Sequence, residues 1–290
     1  MKNIEEKFSN TVWQPNTIAL FRKVLYVFLA FQALSLLPSA SAFWGPDAFL
    51  PYYYQVKTPL LQLLNPLQTG TFKNYYLFFP AAQLVFIILS FVIRPQRVLC
   101  ILIYFFTAAL HHKAAIIQNS GNDLALIMVF YLIFMSEKSS HPLNNTLTNF
   151  SFLAAKLQVA FVYLVAGISK LRGEHWIDGT ALYYVFNADE YSCWFAKHYL
   201  ASSSFVVYTG TYLKLGLQLV FPLFIWFKRT KKLTMLLGIV IHVLIIFLMG
   251  LTDFGLIMII VYALFLSDET STRVLKKFSW TRYSGSFQGL

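Results

Sequence analysis

The sequence predicts an all-α fold: a polytopic transmembrane helical bundle of about eight spans, with the N- and C-termini cytoplasmic. Three observations carry this reading. Of 290 residues, 58% are hydrophobic and only 12% are charged, against roughly 25% charged in a soluble domain. The apolar residues gather into runs of spanning length. The basic residues fall in short clusters between those runs, as topology signals do, so the net charge of +11 does not mark a nucleic-acid partner.

The elements follow in order. The stretch MKNIEEKFSNTVWQPN is polar, shows no cleavable-signal pattern, and with Arg22-Lys23 reads as a cytoplasmic segment over 1–23. Spans are expected near 24–42, 76–93, 97–117, 122–136, 150–170, 205–227, 233–250 and 252–267. The crossing length used is about 20 apolar residues, and the fourth and eighth runs are short for it. Three basic clusters orient the chain: Arg94 with Arg97, the run FKRTKK (Phe227–Lys232), and Arg273, Lys276, Lys277 and Arg282. An even count with the N-terminus inside puts all three in the cytoplasm. A transmembrane domain over 24–267 is thus followed by a basic cytoplasmic tail over 268–290.

The same topology places four stretches on the outer side: WGPDAFLPYYYQVKTPLLQLLNPLQTGTFKN, HHKAAIIQNSGND, Lys170–Tyr199 and GLTDFG. No repeat of solenoid length is visible. Cys100 lies in an apolar run and Cys193 in a polar loop, so no disulfide is expected between them. The sequons at Asn144 and Asn149 fall in a loop assigned to the inside and read as chance. Lack of disulfides and of glycosylated outer domains suits a bacterial inner membrane.

The most informative stretch is YLVAGISKLRGEHWIDGTALYY, Tyr163 to Tyr184, where an apolar run ends in a lysine and a polar hook follows. Tyr163, Gly167 and Lys170 share one helix face, and Gly167 leaves room there for a neighbouring helix or a ligand. Taken alone, Lys170 reads as an anchor that snorkels to the interface.

The ordered set Tyr163, Ala166-Gly167, Lys170-Leu171, Trp176 and Asp178-Gly179 resembles the signature of the vitamin K-dependent γ-carboxylase-like, or HTTM, membrane family. The resemblance extends more loosely from about residue 17 to residue 267. It implies that Lys170 could act as the base that deprotonates a reduced naphthoquinone of the vitamin K or menaquinol type. Oxygen then adds, the quinone becomes an epoxide, and CO2 captures the carbanion formed on a glutamate side chain. Such a lysine must be neutral near pH 7, which burial in an apolar pocket favours. Trp176, Asp178 and Gly179 would then help shape the mouth of the pocket. The chain departs from the carboxylase in having only a short stretch after Leu266, where the carboxylase carries a large extramembrane region that helps bind its peptide substrate. The family also has short bacterial members, some implicated in maturing secreted peptide toxins.

The remaining candidates each keep two readings. His242 lies mid-helix in LLGIVIHVLIIFLMG and is either hydrogen-bonded between helices or, as the resemblance implies, part of the pocket. Asn122 and Asp123 open the fourth span, where they either cap the helix or face substrate. His111 and His112 are adjacent and diverge on a helix, and Glu174, His175 and Asp178 are crowded, so no metal is expected. Asp178-Gly179 also reads as a turn. Two functions are carried forward: a membrane enzyme acting through Lys170 on a quinol or peptide, and a non-catalytic factor that binds or matures a secreted hydrophobic peptide. Membrane lipid is a partner in both. A transporter is disfavoured, since no inverted repeat is visible.

Overall fold

The computed structural model describes residues 8–45, 75–93, 96–137 and 139–278. Most of the first outer stretch, Arg94, and the tail beyond 278 with Arg282 lie outside the described residues. Among the described residues the chain is helical, with no β-strand.

Helix α1 spans Pro15–Leu36 and runs through a 3-10 turn, Leu37–Ser39, into the short α2, Ala40–Trp44. Helices α3 (Phe78–Val92), α4 (Gln96–Lys113) and α5 (Ser120–Phe134) follow, then the long α6 (Pro142–Lys170). The hook folds as two short helices, α7 (Glu174–Ile177) and α8 (Ala181–Asn187), and a π-helical turn, Ala196–Leu200. Helices α9 (Ser204–Phe224), α10 (Lys228–Met249) and α11 (Thr252–Ile260) come next, and α11 tightens into a 3-10 turn, Val261–Phe265. The last helix is α12, Asp268–Phe278.

Each expected span overlaps a helix, but among the described residues only three stretches are long and apolar enough to cross a membrane on their own, fewer than the eight expected: Pro15–Trp44, Pro142–Lys170 and Lys228–Met249. Phe78–Val92, Arg97–His112, Ser120–Phe134 and Thr252–Phe265 are shorter apolar helices. One core joins α1, α5, α6, α9 and the α11 segment through Phe21, Leu25, Met128, Val159, Phe221 and Tyr262, all buried. Large apolar side chains such as Ile88, Phe161 and Phe247 stay exposed on the outside of the bundle, as lipid-facing positions do.

Three boundaries differ from the sequence reading, each for a physical reason. The basic pair Arg22-Lys23 suggests an edge for the first span, yet α1 begins at Pro15, and Arg22 is buried in it. Its guanidinium donates to Glu137 Oε1 at 2.5 Å and to the carbonyl of Met135 at 2.7 Å, which is how a charge enters an apolar core. The two sequons lie on the first turns of α6, not in a loop. Asn145 and Asn149 are each 1% exposed and donate to the carbonyls of Ser9 and Phe8 at 2.9 Å, fastening the N-terminal segment to α6. The tail begins as a helix packed on α1. The Asp268 carboxylate accepts from the backbone N–H groups of Asn16 (2.8 Å) and Thr17 (3.0 Å), so a residue from the far end of the chain caps α1.

Candidate functional site

Helix α6 starts with Pro142 at its first turn and ends at Lys170, where the N–H of Leu171 still reaches the carbonyl of Gly167. Its inward face carries Tyr163 and Gly167, both buried, with Lys170 half-buried one turn further on. A Cβ on Gly167 would lie 2.9 Å from Leu219 Cδ2 and 3.3 Å from the backbone of Gln218. The room at Gly167 is therefore taken by α9, the first of the two occupants that the sequence left open.

Tyr163 is 1% exposed and its ring stacks on Phe221 of α9, with centroids 3.8 Å apart. Its hydroxyl lies 2.8 Å from Nε2 of His242 on α10 and hydrogen-bonds the hydroxyl of Tyr262. His242 is fully buried. The two bonds can run in either direction, with Nε2 accepting from Tyr163 while Tyr262 donates to Tyr163, or with Nε2–H donating to Tyr163 while Tyr163 donates to Tyr262. Nδ1 is itself buried with no hydrogen-bond partner. Gly238 makes the approach possible, because a Cβ there would overlap the Tyr262 hydroxyl. Tyr163 and His242 thus form one buried knot that ties three segments together.

Lys170 belongs to a different cluster. Its Nζ stands 4.9 Å from the centroid of Trp176 in α7, a cation–π distance. Lys214, half-buried on α9, is within electrostatic reach of both Lys170 and His242. Among the described residues neither lysine is paired with a carboxylate. The structure brings Lys170 to Trp176 and Lys214, and it brings His242 to Tyr163 and Tyr262. Lys170 and His242 share no hydrogen bond.

Gly173 turns the chain between Lys170 and Trp176, its N–H donating to the carbonyl of Lys170 at 2.9 Å, and Asp178 and Gly179 make the next turn, into α8. The Asp178 carboxylate accepts from the N–H (2.8 Å) and hydroxyl (2.6 Å) of Thr180, an Asx turn. The hydroxyl of Thr180, then its N–H, hold that exposed carboxyl below the usual range, with His175 adding a smaller effect. Gly179 has φ +83° and lies against Tyr208 and Tyr212, so a side chain there would be both strained and blocked. Tyr212 donates to the carbonyl of Ile177 at 2.9 Å, clamping the hook onto α9.

Asn122 takes the capping role. Asn119 is the N-cap of α5, its side chain accepts from Gly121 N–H at 2.8 Å, and Asn122 Oδ1 accepts from Asn119 N–H at 2.9 Å. Asp123 is exposed on the first turn of the same helix. Among the described residues no three His, Cys, Asp or Glu side chains converge as a metal site.

Sequence reasoning missed Lys214, Tyr262 and Phe221. Lys214 carried a legible signal, as an ionisable residue within the apolar run TYLKLGLQLVF. Tyr262 and Phe221 carried none, because an aromatic residue in an apolar helix looks like core.

Two curated relatives match the chain. Sporulation-delaying protein SdpB of Bacillus subtilis (strain 168) is 27% identical over 169 residues, 50% of this chain and 50% of SdpB. The uncharacterized protein YitO of the same strain is 27% identical over 180 residues, 55% of this chain and 57% of YitO. The chain thus spans about half the length of the curated relatives it matches. No family model matches the sequence, and no solved structure matches it. With its apolar helices, the chain is a helical membrane protein with distant bacterial relatives.

Proposed function

We propose that this protein is a multi-pass membrane factor that binds a secreted hydrophobic peptide, through the peptide's carboxylate, as a step in that peptide's maturation. One observation carries the reading. Lys170 stands over Trp176, Lys214 on the neighbouring helix is within its electrostatic reach, and among the described residues neither is paired with an acid. An apolar environment penalises uncompensated cations, so such a pair favours an anionic guest that is itself apolar. A hydrophobic peptide ending in, or bearing, a carboxylate has that chemistry. The two ammonium groups neutralise the acid, Trp176 gives an apolar wall, and lipid solvates the rest. The short bacterial members of the family that the sequence resembles support a peptide as the guest.

In this reading the bundle crosses the inner membrane eight times, with the shorter helices tilted or buried against the long ones. The hook then faces the outer side. The exposed aromatic residues Tyr191, Trp194, Phe195 and Tyr199 suit the outer membrane–water interface.

Carboxylase-type chemistry draws less support from the geometry. Tyr163 and His242 are in direct contact and closed to solvent, so a naphthoquinone ring does not fit between them without parting α6 from α10. The test is binding of a fluorescent apolar peptide as its free acid and as its amide, to protein in nanodiscs. The acid is expected to bind at least tenfold more tightly, and equal affinities would remove the basis of the proposal.

A further inference from the structure

On the same side of the bundle as the hook, a second polar feature is unrelated to the lysine pair. A cavity of about 30 Å³ lies between the ends of α1, α3, α4, α5 and α11. Its walls include Gln32, Gln83, His111, Asn122 and Asp253, and no lysine or arginine. A water needs about 10–15 Å³ on this measure, so the space suits one small ion or two waters.

The hydrogen bonds of its walls fix the atoms that they offer an occupant. Gln83 donates Nε2 to the Thr107 hydroxyl at 2.8 Å. Thr107 spends its only proton on the carbonyl of Ile103 at 2.7 Å, so its oxygen can only accept, and the Gln83 amide cannot turn over. Gln32 donates Nε2 to Asp253 Oδ2 at 3.0 Å, and an ionised carboxylate again only accepts. Both glutamines are therefore fixed with Oε1 as the free atom. Those two oxygens are buried without a partner, and the residues are 5% and 3% exposed. His111 Nδ1 is likewise buried and unpartnered.

We propose that this cavity binds a small monovalent metal cation through the Gln32 and Gln83 amide oxygens and the Asp253 carboxylate. Buried amide oxygens left unmatched cost free energy, and an oxygen-coordinated cation satisfies two of them at once. One carboxylate balances one positive charge. A divalent ion held by protein oxygens draws on more carboxylates than this. A site of neutral oxygens and one acid leaves no mark in the spacing of His, Cys, Asp and Glu, which is why the sequence points to no metal. The site is independent of the peptide proposal.

The test uses the full chain in detergent, with sodium, potassium and choline chlorides compared at constant ionic strength. Sodium, potassium or both are expected to raise the unfolding midpoint saturably by a few degrees, the size that ligand binding to the folded state gives at concentrations well above Kd. Choline is expected to give no such shift. Gln83→Met keeps the volume, removes the oxygen, and is expected to abolish the difference between salts. Should that variant not fold, binding of radioactive sodium and of radioactive potassium to the wild type, each competed by its unlabelled ion, decides the matter. Identical midpoints in all three salts, or no saturable binding of either ion, would overturn the proposal and leave the cavity to water.

Discussion

The hydroxyl of Tyr163 lies 2.8 Å from Nε2 of His242 and also bonds the hydroxyl of Tyr262, so a single oxygen joins α6, α10 and the segment after α11. Tyr163→Phe keeps the ring stacked on Phe221 but strands two buried polar partners. The expected loss is about 1–3 kcal/mol of stability. Adding Tyr262→Phe is expected to cost less than the sum of the two single changes, because the second substitution removes one stranded group. Thermal unfolding of the two single variants and the double variant in detergent checks this.

Gly238→Ala places a Cβ 2.7 Å from Cζ of Tyr262, and nearer still to its hydroxyl. Overpacking of this kind typically costs about 1–3 kcal/mol. Tyr262→Phe removes the atom in closest conflict, so the Gly238→Ala penalty should shrink in that background. A penalty unchanged by the second substitution would mean that the helices shift instead.

The Arg22–Glu137 pair is asymmetric, with the arginine side chain 4% exposed and the glutamate 31%. Glu137→Met leaves a buried guanidinium without its carboxylate and with the Met135 carbonyl as acceptor, and breaking a buried pair costs about 3–5 kcal/mol. Arg22→Met leaves the glutamate free to take up water and should cost less. Unfolding midpoints of the two variants give the order directly.

The hook should open in acid. The Asp178 carboxyl titrates below its ordinary range in the folded protein because Thr180 donates to the ionised form. Its contribution to the turn is therefore present above the unfolded value, about pH 4, and fades as pH falls through the lower folded value. Protection of the Thr180 amide, relative to its intrinsic exchange rate at each pH, is expected to fall in the wild type as pH drops through that lower value. In Asp178→Asn the exchange is expected to show no such acid step.

How far the sequence reached depends on what each residue does. Helices were legible because apolar runs of spanning length have few other uses, and the hook was legible because Gly179 and Asp178 are turn residues for local reasons. Boundaries were not. Arg22 and Asn149 are polar residues that tertiary partners bury, and the partner of Arg22 stands more than a hundred residues away. The site divides in the same way. Lys170 and Trp176 meet through local geometry and could be paired from the motif. Tyr163, His242 and Tyr262 meet through the packing of three separate segments, and that packing puts His242 in a structural knot apart from Lys170. The capping bond of Asn122 was legible because it reaches the residue only three positions before it.

The measurement that bears most directly on the peptide-binding account compares Lys170→Arg with Lys170→Gln. Both would be titrated with the apolar peptide acid and its amide in nanodiscs. If Lys170 supplies a positive charge, arginine keeps the preference for the acid and glutamine lowers it about tenfold or more, the scale of one lost charge-assisted hydrogen bond. If arginine fails as completely as glutamine, charge is not what Lys170 contributes. A lysine that must lose its proton would then replace the binding account, since arginine stays protonated at any working pH.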